Sequence, residues 1–573
     1  MITYSLSSPH PSSQFIHISI SFDVFENTTC LQLPSWRPGR YELGDFAKNI
    51  RLFDVSNEMG NQLTFFKISK DCWSINTEHS NRIHVCYEYY SNELNAGSSY
   101  VDENQLYVNP VNCCAYVIGR ENEEILLKLD VPSDYKVATA LTSLENNVFK
   151  AKDFDTLADS PFISSNSIQH SSYNVGATLF HIWFQGEIIV PWDIVCADFK
   201  SFTQKQIEKF GSFPVLEYHF LNQIVPHKAY HGVEHATSTV ILLGPSFSVF
   251  NESYIDLLGV SSHELYHAWN VKSIRPIEMF PYDFSKENYS ELGFIYEGVT
   301  TYMGDLFLLK SNVFSWDQYV IEFNQYLAKH TENEGRFNYS VAESSFDTWL
   351  DGYELGAPGR KVSIYTEGCL LAFMADVLII RATNGDFGLD EVMRRLYTDY
   401  YLAHKGVSKE NYQFVLENVS GISFDSFFKD YIFGRKDYLP LLKTLLNELG
   451  LSLVEFENPK KTLSIFGIKL IQSGNHFIVK SIHSKSPAWN TGMMLEDEIV
   501  AINSFDCAGD IEKWIRYFEN ELIYVFLIKR KGVYLSIDVH KVPSDLSFFP
   551  IYVIQQNNGA SHAQELLFKS WIS

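Results

Sequence analysis

The chain has 573 residues, of which 46% are apolar and 20% are charged, and its formal net charge is −24. This length is too great for one hydrophobic core and predicts about three or four domains, while the composition excludes a fibrous or disordered chain. A negative field of this size repels nucleic acid and anionic membranes, so we expect neither as a partner.

The first residues and the cysteines indicate the compartment. Residues 1–10 contain no basic segment followed by an apolar core, so the sequence predicts no secretory signal. No apolar run reaches the ~18 residues that a membrane span needs. The eight cysteines are dispersed without Cys-x-x-Cys spacing, which is typical of reduced, buried thiols. We therefore predict a soluble, cytoplasmic protein.

The N-terminal residues have the pattern of β-structure. Short alternating or β-branched runs, such as 15–22 and 82–90, are separated by Asn, Ser, Gly and Pro. This pattern is typical of a β-sandwich, which we assign to residues 1–160. A mixed region follows, with strands predicted at 181–185, 216–221 and 238–243 and a helix at 199–210.

Residues 263–267 read His-Glu-Leu-Tyr-His, a motif with metal-binding spacing. On a helix, His263 and His267 are one turn apart and project from one face toward a single ion, and Glu264 stands beside them to accept a proton from water. Apolar residues flank the motif on both sides and indicate a buried helix, where imidazoles need partners. This context favours a zinc site over two solvated histidines.

Zinc requires a third protein ligand and one open position. Glu297, in the segment Phe-Ile-Tyr-Glu-Gly-Val-Thr-Thr-Tyr, is the candidate, because that segment also has a helical pattern and can pack across the first helix. Beyond it, helical spacing is found at 319–327, 368–380, 389–402 and 424–433. We assign residues 161–450 to one catalytic domain with a β lobe followed by a helical lobe.

The C-terminal part alternates strands and turns in an order that resembles a PDZ domain, which we place at residues 458–545. A PDZ domain binds an extended peptide at a sheet edge. Its carboxylate-binding loop would be Ser464-Ile-Phe-Gly467, although a β-turn without a ligand fits these residues equally well. Residues 546–573 form a tail with a predicted helix.

Several segments resemble the glycyl aminopeptidase family over nearly the whole chain. They include Trp36-Arg-Pro-Gly-Arg-Tyr41, the continuation of the zinc helix to Pro276, and His231-Gly-Val-Glu-His235. The resemblance implies an α+β multidomain gluzincin: an N-terminal β-sandwich domain, a thermolysin-like zinc peptidase domain with a helical lobe, and a C-terminal PDZ domain. Two residues depart from the family pattern: Ser273 stands where arginine is usual, and Glu367 where lysine is common.

The segment Gly232, Val233, Glu234 and His235 is similar to the strand that occupies the position of the exopeptidase motif in related aminopeptidases. An extended backbone at Gly232 and Val233 can add a peptide by strand pairing, and Glu234 can bind the ammonium of a free N-terminus. The alternative for Glu234 is an ordinary solvated strand acid. We expect these four residues to bind substrate.

Tyr365, in Ser363-Ile-Tyr-Thr-Glu-Gly368, resembles the tyrosine that the family places over the zinc. Its phenol could donate a hydrogen bond to the oxyanion formed at the scissile carbonyl. The alternative is a tyrosine of the core, because the residues that follow are apolar.

The sequence thus predicts a zinc aminopeptidase with Zn²⁺ as cofactor. Its metal ligands would be His263, His267 and Glu297, and its catalytic residues Glu264 and Tyr365. Peptides with a free and, by resemblance, small N-terminal residue would be its substrates. Two alternatives stay open: a zinc endopeptidase or oligopeptidase assisted by its PDZ unit, and an inactive PDZ scaffold that binds peptides.

Overall fold

Three sheets build the N-terminal region of the computed structural model, which describes residues 1–354, 356–507, 509–541 and 547–573. The strands are β1 Ile2–Ser7, β2 Phe15–Asp23, β3 Thr28–Gln32, β4 Ile50–Asn57, β5 Phe65–Ser69, β6 Cys72–Asn76, β7 Arg82–Tyr90, β8 Tyr100–Val101, β9 Gln105–Val108, β10 Tyr116–Val117, β11 Ile125–Asp130, β12 Lys136–Thr139, β13 Thr142–Glu145, β14 Val148–Ala151 and β15 Phe162–Ser165. Their orders in the three sheets are β13-β14-β11-β1-β2-β7-β4, β10-β3-β6-β5 and β12-β15-β9-β8. Two short helices are α1 Pro110–Cys113 and α2 Phe154–Ala158.

The first two of these sheets share one apolar core. Residues of β2 are buried alternately, so that Ile18 and Ile20 point inward. Leu31 and Trp73 contribute from the second sheet to the same cluster. The predicted richness in sheet is therefore confirmed. Strand β15 lies beyond residue 160, the expected end of this region, and pairs with β9 and β12.

A five-stranded sheet of order β16-β17-β18-β20-β19 and the helices around it form the first half of the central region. Strands β17, β18 and β20 are parallel, and β19 is an antiparallel edge strand. The elements are β16 Gln169–Val175, β17 Thr178–Gln185, α3 Trp192–Phe210, β18 Glu217–Ile224, β19 Ala229–Glu234, β20 Ser238–Gly244 and α4 Tyr254–Tyr266.

Helices dominate the second half of the central region, as predicted. These helices are α5 Thr300–Lys310, α6 Trp316–Glu332, α7 Val341–Phe346, α8 Thr348–Asp351, α9 Ile364–Ala382, α10 Leu389–Leu396, α11 Lys409–Ser420, α12 Asp425–Phe427 and α13 Leu439–Glu448. Most of them pack around α9. Three π-helical turns, Phe294–Val299, Tyr397–Tyr401 and Phe428–Ile432, continue or precede them. None of the described helices is both long and apolar enough to cross a membrane.

The C-terminal unit has its own sheet and core. Its strands β22–β27 follow the order β22-β23-β24-β26-β27, with β25 paired to β24, and β21 pairs with β28. The elements are β21 Leu451–Phe456, α14 Lys461–Ser464, β22 Ile468–Ser473, β23 His476–Ile482, α15 Pro487–Asn490, β24 Glu498–Ile502, β25 Phe505–Asp506, α16 Ile511–Tyr517, β26 Ile523–Arg530, β27 Val533–His540, β28 Ile551–Gln556 and α17 His562–Ile572. The expected boundary at 545/546 lies outside the described residues.

The last helix, α17, packs against the helical region. Trp571 is buried, and its indole N–H donates to the Tyr302 hydroxyl at 2.7 Å. That hydroxyl donates in turn to Asp376 of α9 at 2.6 Å. The chain's end is thus fixed to the helices that stand behind the metal-ligand motif.

Candidate metal centre and active site

Helix α4 brings the two motif histidines together, because its apolar residues fix one face in the core. The Nε2 atoms of His263 and His267 are 3.0 Å apart. The Nδ1–H of His267 donates to the Asn270 carbonyl at 2.7 Å, so that loss of the Nε2 proton, as metal binding requires, leaves a lone pair directed toward His263. The Nε2 atoms of the two rings therefore face the same point.

Glu297 comes from the π-helical turn that precedes α5. Its Oε2 lies 3.4 Å from Nε2 of His267 and 3.8 Å from Nε2 of His263. A Cβ on Gly298 would stand 2.2 Å from the Cα of Gly368, so glycine at both positions lets α9 approach this turn. The buried hydroxyl of Tyr41 donates to the other carboxylate oxygen, Oε1, at 3.0 Å.

The donor set of this cluster fits zinc. One ligand atom from each of His263, His267 and Glu297 lies within 4.8 Å of the others, and two imidazoles with one carboxylate are a common zinc set. Tyr41 orients the carboxylate as Asn270 orients His267, which is the usual arrangement around metal ligands.

The charges of the site also favour a bound cation. Three carboxylates, Glu234, Glu264 and Glu297, are buried together, and Oε2 of Glu264 has no hydrogen-bond partner among the described residues. Burial raises the pKa of Glu264 well above its usual value. Burial lowers the pKa of His267, but attraction to Glu297 outweighs it and raises that pKa to about 10. A bound divalent cation removes this imbalance.

A cavity of about 560 Å³ opens over the cluster. The edge strand β19 forms one wall, where Gly232 faces Glu264: a Cβ on this glycine would lie 2.2 Å from Oε1 of Glu264. Helices α4, α5 and α6, the start of α9 and Gly39 of the N-terminal region contribute further walls. An unpaired strand edge beside the metal ligands is suited to bind an extended peptide.

Glu234 ends the edge strand and lines this cavity. Its side chain is only 4% exposed, and its Oε1 has no hydrogen-bond partner in the described part of the chain. The other oxygen, Oε2, packs on the backbone of Gly39 so closely that a Cβ there would be 2.4 Å away. A buried carboxylate with an unused acceptor is costly unless a ligand supplies a donor.

The other two residues of the predicted substrate strand do not line the cavity. Side chains alternate along β19, so Val233 points away into a cluster with Tyr107 and Leu221. His235 binds Asp159 through Nδ1 at 3.0 Å. The backbone of Gly232 and the side chain of Glu234 face the cavity, whereas Val233 and His235 hold the strand against the N-terminal region.

Tyr365 lies in the first turn of α9 and lines the cavity. Its hydroxyl is 3.5 Å from that of Tyr353, and burial raises its pKa well above the usual value. The phenol therefore keeps its proton at neutral pH and can donate a hydrogen bond.

The two residues that depart from the family pattern have partners of their own. Glu367 is buried and accepts a hydrogen bond from Nδ1 of His330 at 2.8 Å, and Arg336 donates to the opposite nitrogen of that ring at 3.0 Å. The Ser273 hydroxyl donates to the Ala268 carbonyl at 2.7 Å and terminates the segment after α4.

Sequence reasoning did not identify three residues that support the site: Gly39, Tyr41 and Asp159. Asp159 stands next to the predicted domain boundary at residue 160, but it accepts hydrogen bonds from His235 at 3.0 Å and from Lys272 at 2.8 Å. Gly39 and Tyr41 belong to the Trp-Arg-Pro-Gly-Arg-Tyr segment, which was noted only for its resemblance. The resemblance of that segment was the only sequence feature that pointed to these two residues. Nothing in its sequence predicted that Gly39 contacts Glu234 or that Tyr41 contacts Glu297.

Comparison with known proteins gives two family models that match separate parts of the chain. Residues 3–166 match the Peptidase M61 N-terminal domain, and residues 256–371 match the M61 glycyl aminopeptidase. The comparison with curated proteins gives no significant match.

Two solved structures share the fold. An aminopeptidase N family protein from Idiomarina loihiensis is 24% identical over 100% of both chains, with a TM-score of 0.91. A mutant M1 zinc metallopeptidase from Deinococcus radiodurans is 12% identical over 76% of this chain and 94% of its own, with a TM-score of 0.50. The first likeness extends over all regions of the chain, including the C-terminal unit.

Proposed function

We propose that this chain, which belongs to the M61 glycyl aminopeptidase family and is a zinc metallopeptidase, removes single residues from the N-terminus of peptides. The observation that carries this proposal is the buried, half-unpartnered carboxylate of Glu234 at the end of an edge strand, in the same cavity as the two histidines and Glu297.

His263, His267 and Glu297 would hold the zinc. When bound there, zinc acts as a Lewis acid that acidifies water and polarises the scissile carbonyl. Tyr41 keeps the Glu297 carboxylate oriented, and Asn270 keeps His267 in the tautomer that leaves Nε2 free.

Glu264 serves as the general base. It is buried beside the two histidines, and its Oε2 is free to accept a proton from the attacking water. A pKa raised by burial makes this carboxylate a stronger base than an exposed one, so that it can take the proton near neutral pH and then return it to the leaving amine.

Tyr365 stabilises the negative charge that develops on the carbonyl oxygen. Its hydroxyl lines the cavity and keeps its proton, because burial raises its pKa. A donor held at the site before the reaction needs no reorganisation when the oxyanion forms.

The edge of β19 and Glu234 together define where the peptide begins. A substrate that pairs with the free edge of β19 is extended along the cavity, and Glu234 meets its terminal ammonium. Gly39 of the N-terminal segment lies directly against Glu234 and lines the same cavity, so the proposed ammonium site is at a wall of that cavity. The family description, glycyl aminopeptidase, supports glycine as the first residue, and we extend the proposal to alanine, which is similarly small.

We further propose that the C-terminal unit is a PDZ domain that binds an extended peptide. Strand β22 is an edge of its sheet, and the loop at Ser464–Gly467 leads into that edge. The unit contacts the end of α6 beside the cavity: the backbone N–H and the hydroxyl of Ser484 donate to Glu334 at 3.1 and 2.7 Å.

The proposed aminopeptidase activity is tested by measuring the zinc content of the protein together with the products that it releases from peptides. The full chain should release free glycine or alanine from Gly-Ala-x peptides, should lose this activity on dialysis against a chelator, and should regain it with zinc. Replacing His263 or His267 by Ala should remove both the metal at this site and the activity. Full activity of a zinc-free His263→Ala/His267→Ala protein would overturn the proposal.

A further inference from the structure

A second group of metal-binding side chains lies on the central sheet, away from the active site. His181 of β17 and His219 of β18 are direct neighbours across the parallel pair, and Glu217 is two residues before His219 on the same face. One ligand atom from each of these three residues lies within 4.8 Å of the others. They line a cavity of about 870 Å³ whose opposite wall is formed by residues 135–149 of the N-terminal region.

We propose that His181, His219 and Glu217 form a second binding site for a divalent transition metal such as Zn²⁺. Two imidazoles and one carboxylate repeat the donor types of the active-site cluster, and the cavity leaves room for water as a further ligand. Three ligands from adjacent strands are fixed by the sheet, so little entropy is lost when they bind an ion.

His170 provides the orienting contact that metal-ligating histidines require. Its Nε2 is 2.9 Å from Nδ1 of His181. If the Nδ1–H of His181 donates in this bond, Nε2 of His181 is left with a lone pair for the metal. The same arrangement orients His267 in the active site, where Asn270 is the acceptor.

Trp183 opposes metal binding. Its indole N–H donates to Nδ1 of His219 at 3.2 Å. A metal on Nδ1 must displace this donor, and a metal on Nε2 requires a proton on Nδ1, which would then face the indole N–H. In either case, Trp183→Phe, which keeps an aromatic ring to stack on His170, should tighten metal binding by several-fold. A cluster that only packs the sheet predicts no such effect.

Equilibrium dialysis of the full-length protein against zinc tests this site. The wild type should bind two equivalents, one of them at the active site. His181→Ala and Glu217→Gln should each weaken the second equivalent by at least about 10-fold and keep the first together with the peptidase activity. His79→Ala is the matched control, because its side chain is 90% exposed and belongs to none of the metal-binding clusters of the described residues, and it should keep both equivalents.

A wild type that binds one equivalent only would overturn the site, and so would a second equivalent that persists in both His181→Ala and Glu217→Gln. If His181→Ala misfolds and loses both zinc equivalents, the zinc content of Glu217→Gln alone tests the second site. Glu217→Gln should fold, because Glu217 is exposed and packs in no core cluster of the described chain. A wild type that lacks the zinc equivalent at the active site would contradict the proposed function and not the second metal site.

Discussion

Glu264 and Glu297 are two buried carboxylates within one site, and their replacement should have opposite consequences. Glu264→Gln removes the proton acceptor and should lower kcat by several orders of magnitude while zinc stays bound, because the amide cannot accept the proton of water. Glu297→Ala should instead lower the affinity for zinc. Steady-state kinetics and metal analysis on both variants distinguish these results, and exchanged phenotypes would reverse the assignment.

Tyr365 and Tyr353 offer a matched pair of phenols, since their hydroxyls lie 3.5 Å apart at the cavity. Tyr365→Phe removes one donor and little volume, so kcat should fall roughly 10²–10³-fold with KM little changed. Tyr353→Phe should have a much smaller effect. An unchanged kcat in Tyr365→Phe would leave this tyrosine with a packing role only.

Tyr41 shows why some residues of the site could not be predicted. It is 256 positions from Glu297 in sequence, yet its hydroxyl binds that carboxylate. The motif residues His263, Glu264 and His267 could be predicted because helical spacing alone places them together. A contact between two domains depends on how they pack, and no local pattern encodes it.

At the scale of elements, the contact between β19 and α4 sets the position of Glu264, the proposed general base. A Cβ added at Gly232 would meet Oε1 of Glu264 at 2.2 Å and Val260 at 2.7 Å. Gly232→Ala should therefore displace Glu264 and lower kcat by about 10²-fold, because displacements of about 1 Å can cost that much. Gly259→Ala on α4 is the control: its Cβ would meet only Asp305, at 4.0 Å, and kcat should change little.

Asp159 joins the N-terminal region to β19 and to the segment after α4. Burial raises its pKa, but Lys272 and His235 outweigh burial and hold it below the usual value. The ionised carboxylate thus stabilises the fold above pH ~4, and this contribution is lost as pH falls through the folded-state pKa. Asp159→Asn leaves Lys272 buried without its partner and should cost about 3–5 kcal/mol at pH 7.

Denaturant unfolding of the wild type and of Asp159→Asn at pH 7 and at pH 3 measures this contribution. The difference in stability between the two proteins should shrink at the lower pH, because Asp159 of the unfolded wild type takes up a proton there while the folded carboxylate stays ionised. The double variant Asp159→Asn/Lys272→Met removes the unpaired charge as well and should recover part of the loss. A difference that is equal at both pH values would exclude the ion pair as its source.

Secondary structure could be predicted where the periodicity was strong. The helix expected at 199–210 is the end of α3, which begins earlier, at Trp192, and the strands expected at 216–221 and 238–243 correspond to β18 and β20. The helix expected to carry Glu297 is a π-helical turn followed by α5. A π turn has the same apolar spacing as an α-helix over so few residues, so the sequence could not distinguish them.

At the scale of the whole molecule, the sequence predicted a sheet-rich N-terminal region, a mixed region with the metal-ligand helix, and a helical part after it. The contacts between these regions were not predictable. The candidate site is built from both sides of the first boundary, because Gly39 lines the cavity against Glu234 and Tyr41 donates to Glu297, whereas the metal-ligand motif belongs to the central region. Loss of the N-terminal region should therefore abolish activity even where the metal-ligand helix persists.

The aminopeptidase assignment is tested most directly by comparing a free peptide with its N-acetylated form. The kcat/KM of both should be measured on the wild type and on Glu234→Ala. A free ammonium pairs with the buried Glu234, whereas an acetyl group leaves it desolvated at a cost of about 2–5 kcal/mol. Acetylation should suppress wild-type cleavage at least ~10-fold, and Glu234→Ala should erase most of that difference. Equal cleavage of the two peptides by the wild type would contradict the account and favour an endopeptidase.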